Sequence, residues 1–161
     1  MVKIGLQLKA SLENVTKLRS EGDDFRWYLK VKCSHCNEES DKWIYITQSE
    51  SVEVKGGRGT ANMVLKCKLC SREHNMDIIP ESVTSYNDED QGKFKTIIKF
   101  DCRGMEPSNF SPRNGWTVEG LESGTVFSDI DLTEKEWADY DEKAKTTVGI
   151  YELEHNFIRE K

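Results

Sequence analysis

The chain has 161 residues, of which 36% are hydrophobic and 32% are charged, and its net charge is −6. This length is sufficient for one domain or two small lobes with a hydrophobic core, and the charged fraction is typical of a soluble protein. The acidic balance, concentrated in the second half of the chain, disfavours nucleic-acid binding because such proteins normally present a basic face.

The first half of the chain alternates apolar and polar residues, which is the period of a half-buried β-strand. Strands are predicted at residues 3–12, 25–33, 43–46, 52–54 and 63–66. A polar bend that ends at Gly22-Asp23-Asp24 separates the first two strands. The turn Gly56-Gly57-Arg58-Gly59 is predicted to join the last two strands as a hairpin.

The second half is also predicted to consist of strands, at residues 94–102, 116–118, 126–132 and 148–158. Residues 106–115 are predicted to be irregular because two prolines and a glycine interrupt them. Thr133 and Glu136 resemble a helix capping box, so residues 134–144 are predicted to form a short acidic turn or helix. The last strand is predicted to place on one face the side chains of Tyr151, Leu153, His155 and Phe157.

The two halves share a pattern that indicates an internal duplication. The alternation of residues 25–33 recurs at residues 94–102, so that Cys33 aligns with Cys102, but Met105 stands where Cys36 would recur. We therefore predict an all-β protein of two structurally related β-sheet lobes. The first lobe covers residues 1–85, the second, acidic lobe covers residues 86–161, and a linker lies near residues 80–92.

Four of the five cysteines form two Cys-x-x-Cys pairs, the first knuckle (Cys33–Cys36) and the second knuckle (Cys67–Cys70). A two-residue gap allows both sulfurs of one tight turn to face the same ion, and four thiolates complete the tetrahedral site that zinc prefers. We predict one structural Zn²⁺ on Cys33, Cys36, Cys67 and Cys70. The lobe of residues 1–85 is then predicted to be a zinc-binding, zinc-ribbon-like lobe, and the lobe of residues 86–161 to be metal-free. A disulfide, a redox-active dithiol and unliganded thiols are the alternatives, but no βαβ pattern surrounds either pair.

The surroundings of the cysteines bear on location and on the other candidate ligands. The first residues alternate without an unbroken apolar run, so we expect no signal peptide and no membrane association. Reduced thiols then fit the cytoplasm and also the nucleus, and we expect a monomer. His35 and His74 are close to the knuckles, but with four cysteines present they are expected to flank the metal site without binding the metal.

Several motifs together resemble one known family, the eukaryotic CXXC-motif-containing zinc-binding proteins. Besides the two knuckles, they are Phe25-Arg26-Trp27-Tyr28-Leu29-Lys30, Lys55-Gly56-Gly57-Arg58-Gly59, Cys102-Arg103-Gly104, Glu122-Ser123-Gly124-Thr125 and Asp139-Tyr140-Asp141-Glu142-Lys143. The resemblance spans essentially the whole chain. It implies zinc on the four knuckle cysteines in an all-β protein of two related lobes, the second without metal, and it implies no established activity.

A closed zinc site and the lack of an evident catalytic constellation favour a protein-binding or adaptor module over an enzyme. The loops Asn109-Phe110-Ser111 and Gly115-Trp116 would supply exposed aromatic contacts to an unidentified protein partner. The alternative for Phe110, Trp116 and Trp137 is that each is a core anchor.

Two further functions remain as alternatives. Thiolate sites also suit Cu(I), so the chain could exchange zinc for copper or contact a metallochaperone. A thiol-dependent reductase would use Cys102, beside Arg103, as its nucleophile, although the alternation places Cys102 on the predicted core face. RNA binding through the zinc ribbon is a weaker alternative.

Overall fold

The computed structural model describes residues 2–54 and 59–160 and is all-β. Its fourteen strands are β1 (Val2–Glu13), β2 (Val15–Ser20), β3 (Trp27–Cys33), β4 (Ile44–Ile46), β5 (Val52–Glu53), β6 (Thr60–Ala61), β7 (Met63–Lys66), β8 (Glu73–Ile78), β9 (Lys95–Arg103), β10 (Met105–Ser111), β11 (Trp116–Gly120), β12 (Val126–Ile130), β13 (Trp137–Asp141) and β14 (Thr146–Glu160). Two short 3₁₀ turns cover Pro80–Ser82 and Asp88–Asp90. Within the described ranges, no helix has the length and apolar character of a membrane span.

All of the strand pairs are antiparallel, and the largest sheet has six strands in the order β13-β14-β1-β9-β8-β7. Two three-stranded sheets have the orders β10-β3-β4 and β12-β11-β2, and β5 pairs with β6. The six-stranded sheet contains strands from both sides of residue 85. The all-β class is confirmed, whereas the two-lobe internal repeat is not, and the division at residue 85 stays a prediction.

Strand β1 lies at the centre of the six-stranded sheet because its alternation supplies one fully apolar face. Its side chains at alternate positions are buried in the core, namely those of Ile4, Leu6, Leu8, Ala10 and Leu12. On one side β1 pairs with β14 and on the other with β9. The predicted strand at residues 3–12 is therefore confirmed, and so is the predicted strand that ends in the first knuckle, as β3.

Aromatic rings fill the core beneath β3, including the rings that sequence analysis placed in exposed loops. Phe25, Trp27 and Trp116 contact one another with ring centroids 4.8 to 5.7 Å apart. Trp116 is completely buried, and Phe110 packs 6.3 Å from Trp27. The hypothesis that these two loops expose aromatic side chains is wrong, because their rings are core anchors.

The polar bend predicted between β1 and β3 contains strand β2, which sequence analysis missed. Lys17 has a positive φ of 55°, and the pairing of β2 with β11 shifts register at this point. The buried side chains Val15 and Leu18 are therefore three positions apart and not two. A bulge of this kind hides a strand from a search for period-two alternation.

Strand β10 contradicts the prediction of irregular structure for residues 106–111, whereas residues 112–115 are irregular as predicted. Pro107 lies opposite Val31 in this strand, followed by a register shift before Asn109. Because β10 is an edge strand, it pairs on one side only, and a proline beside a bulge is tolerated there. Strand β10 also supplies buried core side chains, including Met105 and Phe110.

Residues 134–144 were predicted to form a short acidic turn or helix, but they contain strand β13 with a turn on each side and no helix. The hydroxyl of Thr133 donates to Asp131 at 2.5 Å, which ties Thr133 to a turn instead of a capping box with Glu136. Strand β13 pairs with β14 at the edge of the six-stranded sheet, and most of its side chains are exposed. An exposed edge strand lacks the apolar alternation that would identify it.

Two other predictions need adjustment. Glu152 has a positive φ of 55° where β14 shifts register against β1, so Tyr151 does not share the inward face of Leu153, His155 and Phe157.

The predicted linker near residues 80–92 packs tightly, since Tyr86 is fully buried and its hydroxyl lies 2.6 Å from the Asp90 carbonyl. Of the predicted Gly-rich turn, Gly56-Gly57-Arg58 lies outside the described residues.

Candidate metal centre

The structure brings the four knuckle cysteines together. Their sulfur atoms all lie within 4.8 Å of one another. The Sγ atoms of Cys33 and Cys70 are 3.7 Å apart, and those of Cys36 and Cys67 are 3.5 Å apart. A tetrahedron of sulfurs with Zn–S bonds of 2.3 Å has edges of about 3.8 Å, so these separations fit a single zinc ion.

The two knuckles have the same backbone geometry. In the first, the Cys33 N–H donates to the Glu38 carbonyl at 2.9 Å and the Asn37 N–H donates to the Cys33 carbonyl at 2.8 Å. In the second, Cys67 and Ser71 form the equivalent bonds, at 2.8 and 2.9 Å. Asn37 and Ser71, which follow the knuckles, have positive φ values of 65° and 64°. In both knuckles the backbone therefore reverses direction immediately after the second cysteine.

Backbone amides favour the thiolate form at the first position of each knuckle. The N–H of Cys36 is the main cause that lowers the pKa of Cys33, and the N–H of Cys70 lowers the pKa of Cys67 to about 7. Zinc binds thiolates and not thiols. The knuckle geometry therefore favours deprotonation of the first cysteine of each knuckle.

His74, on β8, contacts the cluster at Cys33 but is not one of the four clustered ligands. Its side chain is buried, and its Nε2 atom is 3.0 Å from the Cys33 Sγ atom. A ring N–H directed at a thiolate sulfur offsets its negative charge and fixes its position. His35 is exposed within the first knuckle. Both placements agree with the prediction that the histidines flank the metal site.

Gly104, which lies between β9 and β10 in the second half of the chain, contacts the first knuckle. Its carbonyl accepts the Ser34 N–H at 2.9 Å, and its φ is +86°. A Cβ atom at this position would lie 2.3 Å from His74 Nδ1. The motif Cys102-Arg103-Gly104 gives no sign of this role in the sequence, because no local pattern places Gly104 against His74.

Cys102 is separate from the cluster and lies in the core of the six-stranded sheet. Its side chain is buried, and its pKa is raised to about 12, mainly by burial and then by the nearby carboxylates of Glu106 and Asp101. His155 is half-buried between Phe110 and Phe157, with ring centroids 5.7 Å from each. Burial of the Cys102 thiol and the aromatic contacts of His155 fit packing roles for both residues.

A small cavity of about 150 Å³ opens beside the cluster, between the two knuckles. The side chains of Val31, Leu65 and Met105 form its apolar wall, next to Cys33 and Cys67. Charged residues also line it, namely Glu38, Glu39, Asp41, Lys66 and Lys68. The knuckles therefore form two sides of a pocket as well as a metal site.

Comparison with known proteins gives one consistent match over the whole chain. The sequence model of the eukaryotic CXXC motif containing zinc binding protein family matches residues 5–158. The chain is 62% identical to the Bos taurus CXXC motif containing zinc binding protein over 159 residues, which are 99% of each chain. The Homo sapiens protein of the same name is 59% identical over the same share of both chains.

Solved structures agree with this match. The crystal structure of C1orf123 has a TM-score of 0.93 and 59% identity, and the alignment covers 98% of this chain and 99% of that chain. A hypothetical protein from Plasmodium falciparum has a TM-score of 0.88 at 28% identity, over 98% and 100% of the two chains. With the one four-cysteine cluster found among the described residues, these relatives are consistent with one structural Zn²⁺. The resemblance is confirmed, and the chain belongs to the eukaryotic family of CXXC motif containing zinc-binding proteins.

Proposed function

We propose that the chain is a protein-binding or adaptor module whose zinc ion keeps one binding surface in a fixed shape. The cavity between the knuckles carries this proposal. Its combination of apolar and charged lining residues is the arrangement that accommodates one apolar side chain of a partner and orients the surrounding contacts.

The role of zinc follows from the position of the cavity. Residues of the first knuckle region, Cys33 and Glu38 to Asp41, form one side, and Cys67 and Lys68 of the second knuckle form another. Four thiolates bound to one ion fix these loops relative to each other. A preformed pocket loses less conformational entropy on binding than a mobile one.

An exposed side chain at the tip of the second knuckle supports the same surface. Leu69 is 65% exposed, the largest value among the exposed large apolar side chains of the described residues. It directly follows Lys68, which lines the cavity and pairs with Asp41 at 3.6 Å. An isolated exposed leucine needs no explanation, but one beside an apolar cavity extends the area available to a partner.

A photo-crosslinking amino acid at position 69 tests this proposal. With p-benzoylphenylalanine in place of Leu69, we expect one discrete protein adduct in cells, which the purified partner reproduces with the zinc-loaded chain. The control is the same substitution at Val126, which is 58% exposed on β12. Equal adducts at both positions, or an adduct that survives zinc removal, would contradict the proposal.

Thiol-based metal handling is the second candidate, and the exposure of two sulfur ligands favours it. Cys36 and Cys70 are only half-buried, whereas Cys33 and Cys67 are buried. A metallochaperone or Cu(I) complex could approach the outer pair first. The closed set of four sulfurs and the buried His74 contact support permanent zinc instead, so this candidate ranks second.

A catalytic role is not part of the proposal. Burial of Cys102 and its raised pKa leave little thiolate at neutral pH, which disfavours the reductase alternative. We propose a non-enzymatic, monomeric chain that works in the cytoplasm and also in the nucleus.

A further inference from the structure

One face of the β10-β3-β4 sheet gathers cations and aromatic rings from separate parts of an acidic chain. Tyr28 and Lys30 point outward from β3, between the buried side chains of Trp27, Leu29 and Val31. Tyr45 lies directly opposite Tyr28 on β4, and their ring centroids are 5.7 Å apart. We call this surface, made of Arg26, Tyr28, Lys30, Trp43, Tyr45 and Arg113, the cationic-aromatic face.

Each cation of this face lies over an aromatic ring. The guanidinium carbon of Arg113 is 3.8 Å from the centre of the Tyr28 ring, and that of Arg26 is 4.5 Å from the Tyr45 ring. The Lys30 ammonium is 5.2 Å from the Trp43 ring. Cation–π contacts hold these groups in place while leaving their N–H donors directed elsewhere.

None of these three cations forms an ion pair with a carboxylate of the described residues, in contrast to other arginines of the chain. Arg19, Arg103 and Arg159 all bind carboxylates within 3.3 Å. On the cationic-aromatic face, Arg26 contacts the Tyr28 hydroxyl at 3.5 Å, and Arg113 contacts the Ser111 hydroxyl at 3.4 Å. The ordered guanidinium groups therefore have the capacity to bind carboxylates of another molecule.

The position of β4 adds a second kind of contact. This strand is the last of its sheet and pairs only with β3, so its other edge has no strand partner among the described residues. Arg26 lies over the Tyr45 ring and Lys30 lies over the Trp43 ring, so both cations extend towards that edge. An extended segment added beside β4 would gain backbone hydrogen bonds and also bring alternate side chains to these cations.

Carboxylates limit the length of an anionic ligand, both at the ends of the face and at Glu50, which accepts the Tyr45 hydroxyl at 3.2 Å. Glu21, Asp24 and Asp129 line the same depression as Arg26. At the other end of β3, Glu106 lies opposite Lys32. A long polyanion such as single-stranded RNA would meet these acidic groups, whereas a short segment would not.

We propose that the cationic-aromatic face binds a short, extended acidic segment of a partner protein, added as a strand beside β4 with carboxylates at alternate positions. The inference deepens the proposed function, on which it rests for the existence of a protein partner. Its test uses a synthetic peptide, so its failure is distinguishable from failure of the crosslinking experiment at position 69.

The probe is a fluorescein-labelled peptide of about twelve residues in which Glu alternates with Thr, long enough to pass the three-residue β4. Binding is measured by fluorescence anisotropy on the zinc-loaded full chain. We expect saturable binding in the micromolar to millimolar range that weakens as salt is added. A peptide of the same composition with its Glu residues in one block, and one with N-methylated backbone amides, are both expected to bind at least several-fold more weakly.

The matched variants carry the same change of charge in different places. In the test variant Arg26→Gln, Lys30→Gln and Arg113→Gln are combined, and affinity is expected to fall about tenfold, since each exposed charge contact contributes modestly. In the control variant Lys135→Gln, Lys143→Gln and Lys145→Gln are combined at exposed sites near β13, and affinity is expected to stay within twofold. Zinc content and near-UV circular dichroism verify that both variants are folded.

Three outcomes would overturn the inference. The first is no saturable binding of the alternating peptide at millimolar concentration. The second is equal loss of binding in the test and control variants, which would indicate general charge attraction. The third is tighter binding of a uridine oligonucleotide of similar length than of the peptide, which would assign the face to nucleic acid.

Discussion

The two ends of the long strand β1 are secured by different chemistry. Near its first residues, which pair with β9 as far as Cys102, the two knuckles meet in a cluster of sulfurs that fits a zinc ion. Near its last residues, which pair with β14 as far as Gly149, two turns meet at the carboxylate of Asp141. We call these the metal end and the carboxylate end.

The carboxylate end is complete without any ligand. Asp141 is buried and accepts hydrogen bonds from the hydroxyls of Ser123 and Thr125, in the turn between β11 and β12. It also accepts the backbone N–H groups of Lys143 and Ala144, at 3.1 and 3.2 Å. One carboxylate thus joins two turns, as one ion would join two knuckles.

The difference between the two ends shows what zinc adds. Four unliganded thiols attract one another weakly, and two thiolates repel, so the knuckles depend on an external cation. Asp141 instead meets donors supplied by the chain itself. We therefore expect the metal end to respond to metal supply, whereas the carboxylate end responds to pH.

The largest effect is expected when one zinc ligand is removed. Cys67→Ser should abolish tight zinc binding, since structural zinc in small sites contributes on the order of 10 kcal/mol of binding free energy. Hydrogen exchange should then accelerate in residues 33–40 and 65–74, with little change in residues 121–125 at the carboxylate end. Native mass spectrometry gives the zinc content of the same samples. Exchange that accelerates equally at both ends would refute the distinction between them.

A smaller loss is expected from Gly104→Ala, which disturbs the metal end without touching a sulfur. The positive φ and the approach to His74 together should cost about 2–4 kcal/mol. Gly124 is the matched control because its φ is also positive, +72°, but a Cβ atom there meets nothing within 4 Å. Gly124→Ala should therefore cost about 1 kcal/mol. Urea unfolding measures both values, and equal losses would mean that the His74 contact is unimportant.

Asp141→Asn tests the carboxylate end through pH. The Ser123 hydroxyl, followed by the other donors, lowers the pKa of Asp141 below its usual 3.8. A carboxyl with a lowered folded-state pKa stabilises the fold above the unfolded value, and this contribution disappears as pH falls through the folded value. The variant should therefore be less stable than the native chain at pH 7, and the difference should shrink below about pH 4.

Both proteins are compared in EDTA, so that acid release of zinc does not enter the difference. Asp139→Asn serves as control, because this carboxylate is exposed and accepts the N–H of the adjacent Tyr140. A stability difference for Asp141→Asn that is constant from pH 7 to pH 3 would exclude the ionised carboxylate as its cause.

The smallest effect is expected at Cys102, which belongs to neither end. Cys102→Ala removes one buried sulfur from a well-packed sheet and should cost about 1 kcal/mol, with zinc content unchanged. In the native chain its thiol should resist iodoacetamide at pH 8, because burial raises its pKa to about 12. Mass spectrometry of the alkylated sites distinguishes it from the knuckles, and fast labelling of Cys102 in folded, zinc-loaded protein would revive the reductase alternative.

Sequence analysis succeeded where a short motif or a regular period determines structure. The spacing of Cys33, Cys36, Cys67 and Cys70 was sufficient to predict the cluster, and the alternation in β1 was sufficient to predict the central strand. It failed where a bulge breaks the period, as at Lys17 in β2, and where strand pairing overrides a breaker, as at Pro107 in β10.

Contacts between residues distant in sequence could not be predicted from local sequence patterns. Two examples join residues far apart in sequence. Gly104 packs closely against His74, and the Ser123 hydroxyl donates a hydrogen bond to Asp141. The cationic-aromatic face also depends on folding, because Arg113 reaches Tyr28 only when β10 pairs with β3. Composition alone indicated an acidic chain and therefore concealed this local basic surface.

Native mass spectrometry during titration with glutathione-buffered Cu(I) tests most directly the claim that a permanent zinc ion secures the metal end. We predict one zinc per chain, retained throughout the titration, with an unchanged charge-state distribution. Replacement of zinc by copper in a chain that stays folded would contradict the account and make metal handling the leading function.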